Sequence, residues 1–156
     1  MAQSREYAVS LSHAAPRTIA AVHARLPARD VPRAFSRYLD QVYAAARTGS
    51  VQLDGQNVFL YREVQDQPGQ ADVAFGVGIK APFEPIANVQ PTIVPGGTVA
   101  TTTHRGSYAQ LGAAHAAVIE WCRTHAHGMA GSRWEVYGHW VEDEAELRTD
   151  VYYLLG

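Results

Sequence analysis

Ser132-Arg133-Trp134-Glu135-Val136-Tyr137-Gly138-His139-Trp140 is dense in aromatic and β-branched residues and holds no breaker before Gly138. That composition predicts a β-strand, read from Arg133 to Glu142. Side chains alternate along a strand, so Glu135, Tyr137 and His139 share one face while Trp134, Val136 and Trp140 take the other. A carboxylate among large aromatics is unfavourable there unless a cation or hydrogen-bond donors meet it. Glu135 therefore either reaches solvent or lines a pocket that wants such a partner.

An earlier stretch, Val58-Phe59-Leu60-Tyr61, matches Trp134-Glu135-Val136-Tyr137 in kind and in context. Around the first lie a strand at Thr18–Leu26, a helix with Pro32 early in it that runs to about Thr48, a strand at Val58–Val64, a turn over Gln65–Gln70 and a hairpin partner at Ala71–Ile79. The helix carries Val31, Phe35, Leu39, Val42 and Ala46 at three- and four-residue spacing, with Tyr38 and Tyr43 alongside. Asp30 is placed to cap it. Around the second lie a strand at Thr98–His104, a turn ending in the capping residue Ser107, and a helix from Tyr108 to about His125. That helix has a stripe of Leu111, His115, Val118, Ile119 and Cys122. A loop punctuated by Gly128 and Gly131 follows, then the Glu135 strand, an acidic turn and a last strand at Leu147–Leu155. Tyr7–Ser12 alternates as a further strand, and Pro-rich Ala81–Gly97 connects the halves with a short strand near Val89–Val94.

Strand, helix, strand, strand thus occurs twice, about 80 residues apart, in pseudo-repeats near 17–80 and 98–155 of one 1–156 domain. The fold class this implies is α+β: pseudo-twofold β-α-β-β halves fused into one antiparallel sheet, with two main helices packed on it. The cleft between the helices is the natural ligand site.

Composition narrows the function. Of 156 residues 47% are hydrophobic and 18% charged, at a formal net charge of −2. This is a folded chain without the clustered basic face that direct nucleic-acid binding needs. Cys122 is the single cysteine, which excludes an internal disulfide and a cysteine-based zinc cluster, and its helical setting makes it a buried thiol. His125 and His127 lack an evident third ligand, so no metal is expected, and no glycine-rich phosphate loop or other cofactor motif is present. His23 and His104 take similar places in the two halves and read as structural, as Trp121 and Trp134 read as core. No stretch has the length of a membrane span and no signal-peptide pattern opens the chain, so a cytoplasmic protein is expected.

Pro95-Gly96-Gly97-Thr98-Val99-Ala100, His104-Arg105-Gly106-Ser107-Tyr108-Ala109-Gln110-Leu111, Trp121 and Trp134-Glu135-Val136-Tyr137, taken in order, resemble the GyrI-like effector-binding domain. This domain forms the ligand-binding half of many bacterial multidrug-responsive transcription regulators and also occurs alone. The likeness covers nearly the whole chain, starting from Tyr7–Leu11 and Pro16–Val22. Ser107 stands where the family often has Pro, and Leu154 where a Pro is common. The resemblance implies that Glu135 lies at the floor of an aromatic pocket and meets the charge of lipophilic cations. It carries Tyr137 and Tyr108 over by motif, and Phe59 and Tyr61 by pseudo-symmetry. Tyr38 and one of Tyr152 and Tyr153 join the walls.

The expectation is a standalone small-molecule-binding protein for hydrophobic, often cationic or planar ligands. It has no helix-turn-helix of its own for reading DNA. Two alternatives come with the resemblance. One is a hydrolase that opens strained rings of DNA-alkylating natural products, with Glu135 and Tyr137, Tyr61 or Tyr108 as base and acid. The other is a protein-binding module acting on DNA gyrase.

Overall fold

The computed structural model describes residues 7–63 and 67–156. Its elements run β1 (Ser10–Ala14), β2 (Arg17–Pro27), α1 (Val31–Arg47), β3 (Leu53–Arg62), β4 (Gln70–Ile79), β5 (Gln90–Val94), β6 (Gly97–Arg105), α2 (Leu111–Thr124), β7 (Met129–Tyr137) and β8 (Arg148–Leu155). The strands form one sheet in the order β1-β6-β8-β7-β3-β4-β2-β5. Every pairing in it is antiparallel. The fold is therefore α+β, with two helices on a curled sheet.

That strand order is a palindrome of the duplication: β5 corresponds to β1, β2 to β6, β4 to β8 and β3 to β7. The halves meet at β3 and β7, where Phe59 pairs with Glu135 across the ladder. Phe59 and Glu135 are also equivalent positions of the two repeats, so the pseudo-twofold axis passes through this pair. The edges are exchanged: β1 pairs with β6 of the second half, and β5 pairs with β2 of the first.

The period-two pattern sorts side chains to two faces. One face receives the helices. Leu39, Val42 and Ala45 of α1 pack on Ala20, Val22, Phe59, Val73, Phe75 and Val77. Ala114, Val118 and Cys122 of α2 pack on Ala100, Val151 and Tyr153. The other face has no helix to cover it. The sheet curls and this face buries itself, Ile19, Ala21, Leu60, Ala74, Val99 and Trp134 forming one cluster. Each large apolar side chain so buried contributes about 1.5–3 kcal/mol.

Several boundaries differ from the sequence expectation. β1 begins at Ser10 rather than Tyr7, because its partners are Gly97–Thr101; Tyr7 and Val9 pack beside the α2 core instead. Asp30 does not cap α1; its carboxylate takes the Arg33 guanidinium at 2.6 Å. Ser107 does cap, accepting from the Ala109 amide, but what it caps is one 3-10 turn at Tyr108–Gln110 before α2 begins at Leu111. β7 starts at Met129, within the expected loop, and ends at Tyr137 rather than Glu142. Gly131, at φ 97°, sits in a register break of β7, and Gly55, at φ 86°, in the matching break of β3. Only glycine adopts such angles without strain, and the two bulges set the twist of the central strands. Val64, Gln65 and Asp66 of the expected strand end and turn lie outside the described residues. Among the described residues no helix is long and apolar enough to cross a membrane.

Candidate functional site

Glu135 projects from β7 on the helix-bearing face and is 4% exposed. Its two carboxylate oxygens are met by three donors. Tyr137 and Tyr61 donate to Oε1 at 2.8 and 3.1 Å. His115 Nε2, from α2, lies 2.6 Å from Oε2. Where the carboxylate accepts this bond, Nε2 carries its hydrogen. His115 Nδ1 lies 2.7 Å from the Tyr153 hydroxyl on β8. The chain of contacts thus runs from β3 and β7 through the carboxylate to α2 and back to β8.

Burial and then the Glu135 charge push the Tyr61 and Tyr137 phenols far above their ordinary range, so both remain donors. Burial pushes Tyr153 up to about 12, with Arg133 opposing and Glu135 adding. The Arg133 guanidinium stands over the Tyr61 ring, 4.9 Å from its centroid. The first turns of both helices line the cavities that Glu135 lines, through Val31, Pro32 and Leu111. Helix N-termini favour negative charge, which suits a carboxylate placed between them.

Two cavities meet at Glu135 and Tyr61. The first, about 700 Å³, is walled by Phe35, Tyr43, Phe59, Tyr108, Tyr137 and Trp140. The second, about 600 Å³, is walled by Tyr61, Glu63, His115, Arg133 and Tyr153. Both are of a size that holds a drug-like molecule. They are images of each other under the duplication. Phe35 of α1 stands where His115 stands on α2, Phe59 where Glu135 stands, and Asn57 where Arg133 stands. In the first half the ring pair Phe35–Phe59, with centroids 5.9 Å apart, takes the place that the His115–Glu135 pair takes in the second. The same scaffold has thus become an aromatic lobe on one side and a charged lobe on the other.

Of the residues expected from sequence, Glu135, Tyr137, Tyr61, Phe59, Tyr108 and Tyr153 come together here. Phe59 and Tyr108 each hold the Tyr137 ring, with centroids 5.0 and 5.4 Å away. Two expected residues do not join them. Tyr38 projects from α1 onto Phe75, stacked at 4.9 Å, and lines neither cavity. Tyr152 is one residue from Tyr153 and so falls on the opposite face, stacked on Trp134. Trp140 was expected opposite Glu135. The strand stops before it, its alternation ends with the strand, and the indole, 69% exposed, lines the aromatic lobe.

His115 is the residue that sequence reading passed over, as one member of the α2 stripe. The duplication held the signal, because a histidine at the position of the core-facing Phe35 is a polar group aimed at the sheet. Arg133, Phe35 and Tyr43 were also unassigned. Among the described residues no group of three or more His, Cys, Asp or Glu side chains could hold a metal ion.

A duplicated half-barrel with a carboxylate at the floor of a cleft between two helices defines a small-molecule-binding class. The chain belongs to the family of the GyrI-like small molecule binding domain, whose model matches residues 7–155. Among solved structures, the C-terminal domain of EcmrR superimposes with a TM-score of 0.77 at 18% identity, over 96% of this chain and 98% of that one. In the EcmrR–DNA complex, at a TM-score of 0.79 and 16% identity, this chain spans 57% of the EcmrR chain. SAV2435 bound to tetraphenylphosphonium matches at 0.68 and 12% identity, over 97% and 94% of the two chains. A hydrolase encoded by lin2189 from Listeria innocua matches at 0.64 and 9%, over 95% and 91%. At these identities the likeness is one of fold. No curated protein matches the chain by sequence.

Proposed function

We propose that this protein binds hydrophobic, cationic or planar aromatic small molecules in the cleft over Glu135, as a multidrug-type binding protein. One observation carries the reading: a buried carboxylate stands where a 700 Å³ aromatic cavity meets a second, charged one. Ring faces attract cations by about 0.5–2 kcal/mol per contact. Flat walls demand little directional precision, so ligands of varied outline fit. The tetraphenylphosphonium on SAV2435 is a lipophilic cation of the kind this site suits.

Titration calorimetry with two ions of matched shape and opposite charge tests the reading. Tetraphenylphosphonium is expected to bind and tetraphenylborate to bind far more weakly. Equal affinities would show that shape alone selects the ligand and would refute a cation site.

A second reading, ring-opening hydrolysis, has one observation in its favour. Two phenols held protonated share the oxygen of a carboxylate, which juxtaposes acid and base groups. Incubation with a cyclopropane-bearing alkylating natural product decides it: opening faster than in buffer, abolished in Glu135→Gln, supports hydrolysis, and a buffer-level rate removes it.

A further inference from the structure

We infer that His115 is the resident countercharge of this site, and that a permanently cationic ligand binds by exchanging its charge for the His115 proton. The inference rests on the reading of the cleft as a cation site.

The geometry accepts His115 in either protonation state without moving a heavy atom. In the neutral form Nε2–H donates to Glu135 Oε2 and the Tyr153 hydroxyl donates to Nδ1. In the imidazolium form Nε2–H still donates to Oε2, and Nδ1–H donates to the Tyr153 oxygen, whose hydroxyl hydrogen turns away. Only the hydroxyl rotor changes. The imidazole is also the more open partner: its side chain is 17% exposed against 6% for Glu135, and it lines the charged cavity, so a proton leaving it has a path to solvent.

Charge makes the exchange necessary. With His115 protonated, the pair at the floor carries no net charge and its attraction for a lipophilic cation is weakened. With His115 neutral, no cation balances the carboxylate at hydrogen-bond distance, Arg133 lying over the Tyr61 ring, and the site takes the ligand's charge. The balance is simple: ligand cation plus protein with imidazolium gives the complex with neutral imidazole plus one proton in solvent. No covalent bond other than N–H is broken.

The other charged and titratable groups around His115 do not supply this compensation. From β7, beside Glu135 itself, Arg133 lies over the Tyr61 ring. From β3, β7 and β8, Tyr61, Tyr137 and Tyr153 face the pair as phenols. Glu63 lines the same cavity but is exposed. Tyr108 precedes α2 and lies on the aromatic lobe. Cys122 of α2 is buried in the core beneath. His104 of β6, also under α2, is tied to Tyr7 and the Ser107 carbonyl. The duplication supports the assignment, because the equivalent place in the first half holds Phe35, which can carry no proton.

The test measures the affinity of tetraphenylphosphonium and of uncharged triphenylphosphine oxide between about pH 5.5 and 8, the span over which imidazoles titrate. For the cation, Kd is expected to rise toward tenfold per unit as pH falls, with proton release in calorimetry run in buffers of different ionisation enthalpy. For the neutral ligand, Kd is expected to stay flat. His115→Gln keeps a donor toward Glu135 and is expected to remove the slope and the proton release. A slope that persists in His115→Gln would assign the proton to Glu135 and overturn the inference. In the native protein, NMR offers a second reading that needs no variant. At about pH 6, tetraphenylphosphonium is expected to move the His115 imidazole resonance toward its neutral position, and an unmoved resonance on binding would overturn the exchange. Binding that is independent of pH would overturn the exchange and leave the cation site standing. Absence of binding at every pH would overturn both.

Discussion

Glu135→Gln separates charge from shape at this site. The side chains are nearly isosteric, and the glutamine oxygen still accepts from Tyr61 and Tyr137. Its amide can donate to His115 Nε2, with Nδ1–H then donating to the Tyr153 oxygen, so the network stays satisfied. The fold is therefore expected to hold its melting temperature to within a few degrees, because a neutral His115 can meet the glutamine and no buried charge is left without its partner. Binding of a cation is different. A charge about 5 Å from the carboxylate gains about 3 kcal/mol at an effective dielectric of about 20. His115, 2.6 Å away on the other oxygen, offsets part of this whenever it is protonated. A loss of about 1.5–3 kcal/mol, or about 10- to 150-fold in Kd for tetraphenylphosphonium, is the expected result. Triphenylphosphine oxide serves as the uncharged control and is expected to change by less than about threefold. The assay is calorimetry or ligand fluorescence on protein with an unchanged melting curve. Equal losses for both ligands, or no loss for the cation, would refute the assignment of Glu135 as the charge that selects the ligand.

Further outcomes follow from other parts of the molecule. Trp140→Ala removes an exposed indole from the aromatic lobe, so stability is expected to change by less than about 0.5 kcal/mol while cation affinity falls about 3- to 30-fold, read by denaturation and titration side by side. Tyr61, Tyr137 and Tyr153 have raised folded-state pKa values, so above the ordinary phenol value of about 10 the folded protein holds more protons than the unfolded chain. Stability is thus full below about pH 10 and falls above it by about 1.4 kcal/mol per unit for each phenol still protonated, measurable by urea denaturation at stepped pH. Gly76→Ala would place a Cβ 2.5 Å from Ile19 Cδ1 in the self-buried face, and a loss of about 1–3 kcal/mol is expected with ligand affinity of the remaining folded protein unchanged.

Much of the site could be read from two tetrapeptides. The alternation of Trp134-Glu135-Val136-Tyr137 placed Glu135 with Tyr137 and against Trp134, because a strand leaves no other choice. Matching it to Val58-Phe59-Leu60-Tyr61 brought Phe59 and Tyr61 to the same place, and the ladder pairs Phe59 with Glu135 directly. What resisted reading lay where the period failed or changed. Trp140 stood beyond the end of β7, and Gly131 looked like a loop although it is a bulge inside the strand. Tyr152 and Tyr153 could be separated only by knowing that Val151 faces α2. His115 was hidden for a different reason: a histidine in an apolar helix stripe has many uses, and which one applies depends on what the opposing strand presents. Tyr38 shares α1 with Phe35, but its position on the helix turns it to Phe75 and away from the cleft.

The most direct test of the cation site is a crystal structure of the protein with tetraphenylphosphonium. The account predicts the phosphorus centre over the Glu135 carboxylate, with phenyl groups against Phe59, Tyr108 and Tyr137 and His115 still beside Oε2. A cation bound elsewhere, with the cleft over Glu135 left unchanged, would contradict it.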